Sequence, residues 1–288
     1  MRWSFPFVLS LLLLAGPIAV LADTVDETAQ RLKVEAYRHY YGQGRPANLA
    51  RALRLYLEAA ERGDAEAQFI AGGMLQRGLG TDPDRRSAFR WLLKAAEQGT
   101  SSPESLHLIG SGYFRGYPVP QNFLEARDWL DRAAGLGHVA ACTDLAYLLY
   151  NGLGGEQDRG RALALYEQAA RRGDVLAQAN TGLMYASGTG TDTDRARAYA
   201  WYSLAASRGN AVAAVNRNRL MSDMSWEELN RAQAIAVELY RQVENLPRPR
   251  RPNRWVRRPH QPPNRGSVPR RRGTVPAGGR YRRWSRHC

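Results

Sequence analysis

The chain has 288 residues, of which 44% are hydrophobic and 24% charged, with a net charge of +14. This balance fits a globular body of one large domain or two small ones, and a single apolar stretch excludes a multi-span membrane protein. The charge sits at one end: residues 247–288 hold 14 Arg and no Asp or Glu, whereas residues 23–246 carry 26 basic against 27 acidic side chains.

Arg2 precedes an apolar run from Phe5 to Ala22. The run contains Pro17 and closes on Val20-Leu21-Ala22 before Asp23. A basic start, a short apolar core and small residues at its end predict a secretory signal cleaved after Ala22. An uncleaved membrane anchor is the alternative, since the run is about the minimum length for a span. Either way the body is expected outside the cytoplasm, periplasmic or secreted.

From residue 42 onward the sequence repeats. Gly63, Gly99, Gly137, Gly173 and Gly209 each follow an Ala-Ala pair, in steps of 36, 38, 36 and 36. Gly42, Gly78, Gly116, Gly152 and Gly188 stand 21 residues before them. Between the two glycines lie Ala52, Ala88, Ala126, Ala162 and Ala198, each four residues after Asn48, Asp84, Asn122, Asp158 or Asp194. One unit can be read physically. Residues 65–77 carry apolar residues at helical spacing, and Gly78 suits a left-handed helix end. Turn residues follow, and Asp84 is the N-cap of a second helix. That helix carries Ala88, Trp91, Leu92, Ala95 and Ala96 on one stripe. Gly72, Gly110, Ala146 and Gly182 are small enough for the paired helix to approach, while Trp91, Trp129 and Trp201 fill the space between units. One such pair cannot bury its apolar face alone, so the prediction is an all-α solenoid of stacked antiparallel helix pairs over 23–246.

The pattern Ala177-Gln178, Gly182-Leu183-Met184-Tyr185, Gly188-Thr189-Gly190, Asp194, Ala198, Trp201-Tyr202, Ala205-Ala206 and Arg208-Gly209 resembles the Sel-1-like repeat family, a relative of the tetratricopeptide repeat, over about residues 28–246. The resemblance implies a right-handed superhelix and an adaptor role in protein complexes, with many bacterial members secreted or periplasmic. It also implies that the first helix of each pair lines a concave face. Gln68, Phe69, His107, Thr143, Tyr147, Tyr150 and Gln178 are the partner-binding candidates there. Two departures stand out. The copy after Gly99 is two residues longer, and it reads Gly116-Tyr117-Pro118-Val119-Pro120 where other copies have a second glycine. A local change in superhelix geometry is expected at that copy.

Ser225-Trp226-Glu227-Glu228 is a capping box. The helix after it carries Leu229, Ala232, Ile235, Ala236 and Leu239 on one stripe and is expected to cover the end of the stack. Residues 247–288 contain eight Pro and few aliphatic residues, the composition of a disordered tail. Within it Arg254, Trp255, Arg257 and Arg258, and Arg280, Tyr281, Arg282, Arg283 and Trp284, interleave cations with aromatic rings. That pattern suits a polyanion: anionic envelope polymer or lipid if the protein is exported, when nucleic acid is not the expected partner. Cys142 is expected to be buried. With Cys288 it makes too few thiols for a disulfide framework.

No catalytic constellation is found. The five His include no pair at i, i+4, and there is no Gly-x-Ser-x-Gly elbow or phosphate loop, so neither metal nor cofactor is predicted. Cysteine-rich members of the resembled family have been linked to β-lactam binding or hydrolysis, but they carry Cys pairs within each repeat, which this chain lacks. The sequence therefore points to a scaffold with a protein partner in the cell envelope. Polyanion binding through the tail is the alternative, and a β-lactam-related hydrolase the weaker one.

Overall fold

The computed structural model describes residues 18–245, with side chains from 27 onward. Residues 1–17 of the predicted signal and the Arg-rich tail, including every tail residue singled out above, lie outside the described residues, while residues 18–22 belong to the first helix. The described residues form twelve helices and no strand: α1 Ile18–Tyr41, α2 Leu49–Glu61, α3 Ala65–Arg77, α4 Arg85–Glu97, α5 Pro103–Arg115, α6 Phe123–Gly135, α7 Val139–Asn151, α8 Arg159–Arg171, α9 Val175–Ser187, α10 Arg195–Ser207, α11 Ala211–Ser222 and α12 Trp226–Glu244. Helices pair as α1 with α2 through α9 with α10, and each even helix also packs on the next odd one. The result is the predicted solenoid.

Each boundary has a local cause. Asn48, Asp84, Asn122, Asp158 and Asp194 accept backbone N–H groups at the starts of the even helices α2 to α10. This satisfies donors that no turn of helix can reach. Gly78, Gly116, Gly152 and Gly188 close the odd helices in the left-handed conformation. Within a pair the backbones come close: a Cβ at Gly72, Gly110 or Gly182 would meet Leu92, Leu130 or Tyr202 at 2.8, 2.7 or 2.7 Å. Between pairs, Arg208 Nη1 at the end of α10 donates to the Gly173 carbonyl at 3.1 Å, and Arg172 does the same to Gly137 one repeat earlier.

The longer copy is looser, as its insertion predicts. α4 and α5 approach each other along a shorter stretch than α2 and α3, α6 and α7 or α8 and α9. In other repeats a second turn glycine lies against the first turn of the preceding even helix: a Cβ on Gly154 would overlap the Phe123 carbonyl. Pro118 stands at that register in the α5–α6 turn. The buried apolar residues form one cluster from Ala29 to Ala88 and a larger one from Phe89 to Val243, so that α4 gives Ala88 to the first and Phe89, Leu92 and Ala96 to the second.

The end of the stack differs from expectation. α12 does not cover α11. It packs along α10 and touches α8, burying Ala196 and Tyr199 of α10 against Ala232, with Met224, Leu229 and Ile235 around them. Arg208–Glu244 at 2.9 Å and Arg171–Gln242 at 3.2 Å fix its far end. The reason lies in α10, which is apolar on both sides and needs a second cover. α11 itself ends the stack. Arg217 and Asn218 stand where α9 has Thr181 and Gly182, so the face that would take another helix is polar, with the Arg217 guanidinium donating to Asn218.

Candidate interaction face

On each odd helix the buried residues face the paired even helices, which leaves a stripe at i, i+3, i+4 and i+7 turned away from them. On α1, α7 and α9 that stripe is apolar and aromatic, whereas α3, α5 and α11 place Gly73, Ser111 and Arg219 at the same register. Tyr37, Tyr147 and Leu183 occupy one register, spaced by whole repeats, and are 46%, 46% and 44% exposed. Val34, Leu176, Val212 and Val215 extend the same face. Scattered exposed apolar residues are ordinary, but alignment of them along one face marks a contact surface.

Two hollows indent it. One, of about 190 Å³, lies between α7, α8 and α9 and is lined by Tyr147, Tyr150, Tyr166, Asn180, Leu183 and Met184. A dry apolar cavity of about 150 Å³ already holds a benzene ring, so this one takes a single aromatic or large aliphatic side chain. Tyr166 forms its floor. Burial pushes its phenol well above the usual tyrosine range, and it stays neutral. The other, of about 350 Å³, lies between α1, α2 and α3 beside Val34, Tyr37, Tyr56 and Ile70. Lys33 closes one side of it, held by Asp64 and Glu66 at 2.9 Å each. Burial opposes its charge, but the bonds to Glu66 and Asp64 outweigh that and raise its pKa.

Between the hollows, α5 and α7 are joined by polar and aromatic contacts. His107 Nε2 lies 2.9 Å from Asp144 Oδ2, the His107 ring stacks on His138 at 4.4 Å, and Phe114 meets Tyr147 edge-on at 5.8 Å.

The predicted contact residues divide. Tyr147 and Tyr150 line the smaller hollow. Phe69 packs partly into the core. His107 is partly exposed but committed to Asp144. Gln68, Thr143 and Gln178 are buried and out of a partner's reach. Gln68 Nε2 donates to the Ala60 carbonyl at 3.2 Å and its Oε1 accepts from Gln98 at 2.8 Å; Gln178 Nε2 donates to the Ala170 carbonyl at 3.1 Å. Both glutamines satisfy the end of the preceding even helix, a structural duty, while the Thr143 hydroxyl turns back to the Val139 carbonyl at 3.4 Å. Asn180, Leu183, Tyr166 and Tyr37 also line the hollows. In the sequence only Tyr37 and Leu183 carry a signal, the register they share with Tyr147. Among the described residues no group of three His, Cys, Asp or Glu is placed to hold a metal ion, and no helix is long and apolar enough to cross a membrane.

Stacked helix pairs with an indented, apolar face define an α-solenoid of the repeat-scaffold class. A family model for the Sel1 repeat matches residues 36–64, 65–100, 103–138, 139–174 and 175–210. The chain belongs to the Sel1 repeat family, which typically mediates protein–protein interactions. Among solved structures, a Sel1 repeat protein from Oxalobacter formigenes is 31% identical, the match covering 68% of this chain and 79% of that one with a TM-score of 0.52. The protein c5321, a protective antigen of uropathogenic Escherichia coli with an SLR fold, is 24% identical over 78% of this chain and 48% of its own, with a TM-score of 0.57. The present chain spans about half the length of c5321, and that likeness shows the fold.

Proposed function

We propose that the protein is a non-catalytic scaffold, exported from the cytoplasm, that holds a segment of an envelope protein on the face lined by its odd-numbered helices. The observation that carries this reading is the exposure of Tyr147 and Leu183 in one repeat register around a hollow sized for one side chain. Large apolar anchors in such hollows supply most of the energy of an interface. Export rests on the apolar run and small residues before Asp23. In cells, the mature chain is expected to begin at Asp23.

A photo-crosslinking residue placed at Leu183 tests the surface. A discrete partner adduct is expected there and none from Tyr240, which is equally exposed but lies on α12. Equal labelling from both sites would refute the reading. With the partner in hand, Tyr147→Ala should weaken binding about thirtyfold, the loss typical of an anchor residue. A second reading is favoured by the 14 Arg of the tail, interleaved with Trp255, Tyr281 and Trp284: the tail tethers the scaffold to an anionic polymer or lipid. Tail binding should fall steeply with salt, since exposed charges are screened within about 10 Å at 0.1 M, whereas capture through apolar anchors should persist.

A further inference from the structure

We propose that the start of α7 is an acid-triggered joint, in which protonation of the His138 ring releases the first turn of α7 and loosens it from α5. The inference concerns the shape of the solenoid and stands apart from the binding role proposed above.

The geometry is particular to one repeat. The other odd helices from α3 onward are capped by an oxygen: Asp64, Ser102, Asp174 and Asn210 accept from the N–H three residues on, at 2.7, 3.1, 2.7 and 2.9 Å. At α7 the cap is a ring nitrogen, His138 Nδ1, accepting from the Ala141 N–H at 3.2 Å. An imidazole accepts only through an unprotonated nitrogen, so this contact requires the neutral ring with its proton on Nε2. The ring lies almost flat on His107 of α5, centroids 4.4 Å apart and planes 23° from parallel. His107 donates from Nε2 to Asp144 one turn along α7, so α5 and the first two turns of α7 are tied through this pair of rings.

A proton arriving from solvent at Nδ1 sets a donor against the Ala141 donor, and that hydrogen bond is lost. It also places a cation at the positive end of the helix dipole, where anions are favoured. The titratable and charged groups facing the ring are His107 and Glu104 of α5, Asp144 of α7, and Arg172 at the end of α8. Burial first, then His107 and Arg172, hold the ring below the usual histidine range against the pull of Glu104 and Asp144. The sign follows. The stability contributed by the neutral ring is complete above about pH 6.5, the ordinary histidine value, and is lost as pH falls through the lower value of the folded state. The caps of α3, α5, α9 and α11 accept through oxygen rather than a ring nitrogen, so the release is specific to α7.

Hydrogen exchange on the full chain, at steps from pH 7.5 to 5 and corrected for intrinsic exchange, tests the joint. Protection of the Ala141 and Cys142 amides should fall about fivefold or more, the effect of losing one cap, while protection at the start of α9 holds. His138→Asp, which restores the oxygen cap of α3 and α9, should abolish the step without lowering protection at pH 7.5. His138→Asn gives the same readout should the Asp variant fold poorly. The proposal is overturned if the starts of α7 and α9 lose protection together, if neither changes, or if the oxygen-capped variants keep the step.

Discussion

Gly73 and Gly110 sit in equivalent helices, yet one added methyl group should act on them in opposite directions. A Cβ at Gly73 meets nothing within 4 Å, so Gly73→Ala should stabilise the chain by about 0.5–1 kcal/mol through reduced backbone entropy in the unfolded state. At Gly110 the same atom would lie 2.7 Å from Leu130, and Gly110→Ala should cost about 1–3 kcal/mol by overpacking; urea unfolding of both variants checks the pair. Cys142 is buried, and burial pushes its thiol above the usual range. On a Cys288→Ser background a thiol reagent at pH 7.5 should leave the folded chain untouched and react fully in urea. Tyr56 gives an alkaline counterpart. Burial pushes its phenol up to about 12, from 10.0, so the stability it contributes is complete below pH 10 and lost as pH rises through 12. The roles of Gln68 and Gln178 were not legible in sequence. At helical spacing a glutamine reads as surface, and its true partner, a carbonyl eight residues upstream, is brought near only by the turn between two helices.

The helices themselves were largely legible, because capping is local chemistry. Asp84 and Gly78 announce a start and an end with no knowledge of the rest of the molecule. The destination of α12 was not. Its apolar stripe says that a partner is needed without saying which helix provides it, and the available signal lay in α10, whose Ala196 and Tyr199 add a second apolar side to the one that faces α9. Leu239 of α12 is buried and Val237 is exposed. Leu239→Ala should cost about 2–3 kcal/mol and Val237→Ala less than about 0.5, measured by denaturant unfolding. Equal effects would place α12 loosely on the body rather than packed on α10.

The seam at α4–α5 sets the behaviour of the whole solenoid. Stability in such arrays is a sum of repeat and neighbour terms, and a weak neighbour term lets the two sides unfold separately. Amides of α2 and α3 should therefore exchange as one group and those of α6 to α10 as another, with the boundary at the longer repeat. A single common opening energy would argue against that division. The seam also separates the two hollows on the interaction face, so its angle sets the distance between them.

The polar outer side of α11 has one more consequence, for how such a chain can lengthen. Arg217 and Asn218 refuse a new neighbour, so a repeat appended after Ser222 finds no surface to join. A duplicated block of 36 residues entering at Asp174, where α8 hands over to α9, meets on both sides the partners it already has. The molecule can grow from its middle while its last unit stays the same, and its reach is then a matter of copy number.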